Sequence, residues 1–209
     1  MPRPTRSLAE IVAPGRCALL FIEAQRGILG VASGVPALAE AARSTGAIAN
    51  MARLAEAARA AGVPVVHGPT GHFPGPFGRA HNTPISLLVP EAGTPAATDP
   101  TFADPLEELG PEAGDAIVVR PYGLSHLTTT HLDAMLRAQG IDTVVVAGVS
   151  LNVAVTNLVL ELGHLAYRVV VPSDAVVGFP VEYGEQVVRY TLRMLATIAT
   201  TGELVAAWR

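Results

Sequence analysis

The sequence predicts an α/β protein: a single domain on a doubly wound parallel sheet of about six strands, with helices on both faces. Three observations carry that expectation. Short runs dense in valine and isoleucine recur along the chain: "CALLFIEA", "VPVVHG", "DAIVVR", "DTVVVAGV" and "YRVVVPSDAV". Such near-continuous apolar runs suit strands covered on both faces better than strands with one wet face. Helix-like segments separate them, which is the βαβ alternation of a parallel sheet. Finally, the 209 residues are half apolar and only 15% charged, enough for one sizeable core.

The elements follow in order. Cys17 to Ala24 reads as a buried first strand ending in an acid. Val35 to Ala61 is rich in alanine, the strongest helix former, and reads as one long helix closed by Gly62. Val63 to Gly68 is the second strand. Residues 69–114, rich in proline, glycine and threonine, read as a loop-rich insertion near the site, with short helices around Leu87 and Leu106. Asp115 to Arg120 is the third strand and His131 to Gln139 part of a helix stopped by Gly140. The run "DTVVVAGV" is the fourth strand, Asn152 to Leu165 a helix, and "YRVVVPSDAV" the fifth strand. Glu182 to Ala199 reads as an amphipathic helix, and "GELVAAW" as a short strand or helix.

Composition narrows the function. A net charge of -4 gives no basis for a nucleic-acid or anionic-membrane partner. No run reaches the roughly 20 apolar residues that span a bilayer. Residues 1–15 form an N-terminal extension with three prolines and no apolar core, which does not read as a signal peptide, so the expectation is cytoplasmic. The apolar excess points to a homo-oligomer, a dimer or tetramer. The single cysteine, Cys17, excludes an internal disulfide framework and a multi-cysteine metal site. All 14 basic residues are arginine, so no lysine exists to shuttle protons or form a Schiff base.

In open parallel sheets ligands bind beyond the carboxyl ends of the strands. Three strand ends carry suggestive residues: Glu23, Arg120 and the turn from Gly148 to Ala154. Glu23 reads either as a strand-end carboxylate satisfied locally or as an acid/base made less acidic by an apolar setting. Gln25, two residues on, is a candidate to bond a ligand or Glu23 itself. Arg120 reads as a solvated strand terminus, a partner of Glu23, or a bidentate clamp for a substrate carboxylate. His67 and His126 lie near strand ends and are candidate substrate contacts, as are Tyr122 and Asn152. The six histidines form no metal-ligand spacing, and no metal or other cofactor is expected. Cys17 begins the strand that Glu23 ends, roughly 20 Å away at about 3.3 Å per residue, and reads as a core thiol. "GVSLN" is not a serine-hydrolase elbow, and no dinucleotide-binding glycine motif follows the first strand.

From "ALLFIEAQ" through "TVVVAGVSLNVAVTNLVLELGHLAYRVVVPSDAV", the chain resembles the isochorismatase-like superfamily, also called the cysteine hydrolases. The resemblance implies a six-stranded parallel sheet and a catalytic aspartate, lysine and cysteine. By position these fall on Glu23, Arg120 and Ala154, and all three differ. It also implies a cis peptide at Val149–Ser150 and an oxyanion hole from the backbone N–H groups of Ser150 and Ala154. A backbone hole needs no particular side chain. Alanine cannot form a thioester, so the covalent amidase route is closed at Ala154. Isochorismatases in the superfamily cleave a vinyl ether without a thiol nucleophile. The expectation is a thiol-independent hydrolase for a small polar or anionic molecule, with Glu23 as acid/base and Arg120 as anchor. The alternative is an inactive member that binds a metabolite or serves an assembly.

Overall fold

The computed structural model describes residues 6–71, 82–85 and 99–209. His72, His81 and the helix expected around Leu87 lie outside the described residues. Seven parallel strands make one sheet: β1 (Cys17–Ile22), β2 (Val65–Gly68), β3 (Ala116–Ile117), β4 (Thr143–Val149), β5 (Arg168–Pro172), β6 (Val176–Val177) and β7 (Thr197–Ala199). Their order is β3-β2-β1-β4-β5-β7, with β6 beside β4. The helices are α1 (Leu8–Ile11), α2 (Arg26–Leu29), α3 (Pro36–Ser44), α4 (Ala47–Ala60), α5 (His126–Thr129), α6 (Leu132–Ala138), α7 (Ala154–His164), α8 (Val181–Gln186) and α9 (Thr201–Ala207).

The expected burial on both faces follows from strand alternation. Leu19 and Phe21 of β1 and Val145 and Ala147 of β4 join a core with Met51, Leu54 and Ala58 of α4 and Leu204 of α9. The intervening residues, Leu20, Ile22, Val144 and Val146, join a second core with Leu132 and Leu136 of α6 and Val155, Leu158 and Leu162 of α7. Each fully buried leucine contributes about 2 kcal/mol. The N-terminal turn is held by reciprocal bonds between Ser7 and Glu10, and the Trp208 indole donates to the Val12 carbonyl at 3.0 Å.

Four elements differ from the sequence expectation. The helix expected over Val35 to Ala61 is two, α3 and α4, because Gly46 adopts φ 75° and Thr45 turns its hydroxyl onto the Ala41 carbonyl at 2.8 Å. Its predicted stop is present: Gly62 has φ 71°, and Val63 donates to the Ala58 carbonyl at 2.8 Å. The third strand is shorter than expected as a named strand, though Val118 and Arg120 still donate to the His67 and Pro69 carbonyls, each at 2.8 Å. The fifth strand divides into β5, beside the first half of β4, and β6, beside its end. The helix expected from Glu182 to Ala199 ends at Gln186, passes through tighter and wider helical turns, and gives way to β7. There Thr197 and Ile198 take the free edge of β5, so sheet pairing overrides helical periodicity.

The central junction tolerates no side chain at one point. Ile22 and Gly148 are register partners, Gly148 has φ 116°, and a Cβ there would stand 2.1 Å from the Ile22 carbonyl oxygen. Gly148→Ala is therefore expected to lower the unfolding free energy by about 3 kcal/mol or more. Gly62→Ala, at a positive φ but with nothing within 4 Å, should cost only about 1 kcal/mol. Urea denaturation of both variants checks the difference.

Candidate active site

Parallel pairing brings the carboxyl ends of β1, β2 and β4 side by side. Ile22 pairs with Gly68 on one side and Gly148 on the other, so Glu23 emerges between β2 and the turn after β4. Glu23 has φ 52°, an uncommon left-handed conformation for a residue with a Cβ, and donates its N–H to the Gly68 carbonyl at 3.0 Å. Arg120 arrives beside it because its own N–H bonds the Pro69 carbonyl at 2.8 Å.

The two side chains form an ion pair, Arg120 Nη2 donating to Glu23 Oε1. The arginine side chain is 6% exposed and the glutamate 16%. Burial pushes the Glu23 carboxyl above the usual carboxylate range, with the Arg120 guanidinium pulling the other way. Arg120 Nε is buried and has no hydrogen-bond partner among the described residues. Of the open readings of Arg120, pairing with Glu23 is the one present, and a solvated terminus is not.

His126 begins α5 beneath this pair. It is buried, its Nε2 lies 3.3 Å from the Pro69 carbonyl oxygen, and a Cβ on Gly68 would approach its ring to 3.2 Å. Burial first, and the nearby Arg120 charge second, depress its pKa to about 4, so it is neutral near pH 7. The Pro69 carbonyl thus accepts from the Arg120 backbone and, in the Nε2–H tautomer, from His126. No residue-type signal in the sequence announces that shared acceptor.

On the other side of Glu23 lies the corner after β4. The Val149–Ser150 peptide is cis. The Ser150 carbonyl accepts from Val153 and Val155, at 3.2 and 3.0 Å, which winds the chain into α7. Neither the Ser150 nor the Ala154 N–H has a hydrogen-bond partner among the described residues. Ala154 is the first residue of α7 and is buried. Asn157 of α7 donates to the Leu124 carbonyl at 3.3 Å, tying this helix to the loop after Arg120.

Three expected substrate contacts are otherwise engaged. Gln25 is fully buried, with Nε2 donating to the Thr70 and Phe102 carbonyls, both at 2.8 Å, and Oε1 accepting from the Thr70 N–H at 2.6 Å. It splices two loops and has no amide N–H left for a ligand or Glu23. His67 points to the α4 face, stacked on Phe21 with centroids 5.6 Å apart, and Nε2 meets Asp115 at 3.0 Å. Asp115 in turn takes two bonds from Arg59, at 2.6 and 3.1 Å, so His67 belongs to an internal ionic network. Asn152 accepts from the Phe179 N–H at 2.9 Å and donates to its carbonyl at 2.8 Å, pinning the β6–α8 loop. Tyr122 is exposed on the loop after Arg120. Cys17 is buried at the far end of β1, and burial raises its thiol to about 12. Among the described residues no group of three or more His, Cys, Asp or Glu could hold a metal.

Fold and site define a doubly wound α/β protein with its polar groups gathered at the carboxyl edge of the sheet. The Isochorismatase domain model matches residues 17–203, and the chain belongs to the isochorismatase family. It is 29% identical over 203 residues to the ureidoacrylate amidohydrolase RutB of Pseudomonas syringae pv. syringae, covering 91% of this chain and 80% of that one. An isochorismatase family protein from Burkholderia thailandensis superposes with a TM-score of 0.76 at 27% identity, over 93% of this chain and 96% of the other. The N-carbamoylsarcosine amidase of Thermoplasma acidophilum shares the fold, with a TM-score of 0.68 at 24% identity over 89% and 96% of the two chains. No helix among the described residues is long and apolar enough to cross a membrane.

The site makes stability depend on pH through His126. Its folded pKa lies below the unfolded value, so between about pH 6.5 and pH 4 the unfolded chain binds the extra proton. Stability is therefore lost as pH falls through that window, by up to about 3 kcal/mol from this residue. Urea unfolding at several pH values should show the loss, and His126→Gln should flatten the slope.

Proposed function

We propose that the protein is a thiol-independent hydrolase acting on a small polar or anionic metabolite, with Glu23 as acid/base. One observation carries the reading. A buried carboxyl with a raised pKa, held by Arg120, stands next to a corner whose Ser150 and Ala154 N–H groups are unpartnered among the described residues. Such free donors suit an oxyanion, and they act whether or not residue 154 carries a thiol.

The chemistry follows from what these groups can do. Protonated Glu23 delivers its proton to the leaving heteroatom of an amide, or to the carbon of a vinyl ether. Water adds to the carbon left electron-poor, taking the role that a side-chain nucleophile would otherwise fill. The bond to the leaving group breaks, and the Glu23 carboxylate recovers the proton that the added water loses. Where the substrate is an amide, the oxygen that gains charge accepts from Ser150 and Ala154. Arg120 stays cationic throughout and anchors an anionic group. The name of the amidohydrolase relative supports a C–N bond in an acidic ureido compound as the first substrate to assay.

A second reading, an inactive member that binds a metabolite, is favoured by a different observation. A cleft of about 490 Å3 lies behind the corner, lined by Leu151, Asp174, Val177 and Arg189 among others, and includes neither Glu23 nor Arg120.

Assays against ureido acids, simple amides and vinyl ethers separate the two. Under the hydrolase reading, Glu23→Gln lowers turnover by about 100-fold or more, the scale of general acid catalysis. Iodoacetamide leaves the wild-type rate unchanged, since the only thiol is buried with its pKa near 12. Full turnover by Glu23→Gln would sink the role of Glu23, and no turnover of any compound by the wild type would favour the inactive reading.

A further inference from the structure

The edge of a guanidinium that clasps a carboxylate side-on consists of Nε–H and one Nη2–H. In Arg120 one of those two nitrogens is engaged and the other is not. Nη2 holds Glu23 Oε1, while the adjacent Nε, buried on a side chain only 6% exposed, has no partner among the described residues. A buried donor left unmet costs about 1–3 kcal/mol, so the pair as it stands is incomplete. An external carboxylate laid along the Nε–Nη2 edge would satisfy both donors, in competition with Glu23 for Nη2.

We propose that the substrate is a carboxylate that takes over the Nε–Nη2 edge of Arg120, displaces Glu23, and causes Glu23 to take up one proton from solvent as it binds. This rests on the hydrolase reading for its catalytic meaning and adds two things to it: the substrate class, and the source of the proton that Glu23 then delivers.

Charge counting supplies the reason. Before binding, one carboxylate faces one guanidinium. After binding, two carboxylates share that guanidinium in a setting largely removed from water, and two like charges so placed do not both stay ionised. Among the described residues the groups that face this point are Arg120 beside Glu23, and His126 on α5 beside Arg120. His126 is neutral near pH 7 and provides no second cation. The incoming carboxylate has the two-point contact and Glu23 has yielded its single one, so the proton goes to Glu23. The acid is thereby charged by the arrival of the molecule it acts on. A neutral amide of the same shape has no such effect.

Calorimetric titration with benzoate, and with benzamide as its uncharged counterpart, tests this on the intact protein. Run at pH 7 in buffers of different ionisation enthalpy, it should show the wild type binding benzoate at least tenfold more tightly than benzamide, with close to one proton taken up per benzoate. Glu23→Gln should bind benzoate as well or better and take up none. Arg120→Lys, which keeps the charge but has no side-on edge, should lose most of the preference for benzoate. Equal binding of the two probes, absence of benzoate binding, or benzoate binding without proton uptake by the wild type would each overturn the proposal. Proton-coupled benzoate binding by a protein that turns over nothing would refute the hydrolase reading and leave the carboxylate exchange standing.

Discussion

The pairing of β1 with β4 is the constraint on which the rest depends. Six register pairs, from Cys17–Thr143 to Ile22–Gly148, run in parallel through the middle of the sheet. Because the strands are parallel, their carboxyl ends finish together. Glu23 and the Ser150–Ala154 corner become neighbours although more than 120 residues separate them in the chain. The close approach at Gly148 sets how near they come, since nothing larger than hydrogen fits against the Ile22 carbonyl. The Gly68 and Pro69 carbonyls that hold Glu23 and Arg120 lie beside that junction.

Within it, one charge balance governs the chemistry. A carboxyl and a guanidinium in a poorly hydrated place stabilise each other, and each is costly to leave alone. Under the proposed exchange, the protonation of Glu23 depends on what else occupies Arg120. An aspartate–lysine–cysteine set divides the work between a nucleophile and its activators. On the proposed reading, this chain offers one acid, Glu23, one cation, Arg120, and a methyl group, Ala154, in place of such a set. The backbone part of such a corner survives that loss, because N–H donors do not depend on side-chain identity. Membership of the isochorismatase family and an alanine at this corner are therefore compatible with the proposed hydrolysis by water.

Much of the fold was legible from periodicity. The valine-rich runs and their alternation with helices gave the parallel sheet, and Gly62 and Gly140 marked helix ends, each at a positive φ in the structure. What sequence could not separate were breaks decided by tertiary pairing. Glu182 to Ala199 has a helical pattern throughout, but the free edge of β5 captures Thr197–Ala199. For the site, strand-end position brought Glu23 and Arg120 to attention, and they do meet. It misdirected Gln25, His67 and Asn152, because nearness to a strand end does not say which way a side chain points. His67 shares the parity of Val65 and so faces α4, a point the strand register would have supplied. Gln25 and Asn152 are engaged by backbone groups of distant loops, which no local pattern encodes.

The central claim is that water, not a protein group, attacks the substrate at this corner. A single turnover in 18O-labelled water, with enzyme in excess over an acidic ureido substrate, tests it most directly. The account predicts the label in the released product and none in the peptide that carries Glu23. Label found in Glu23 would mean that its carboxylate had formed a covalent intermediate, and would contradict the account.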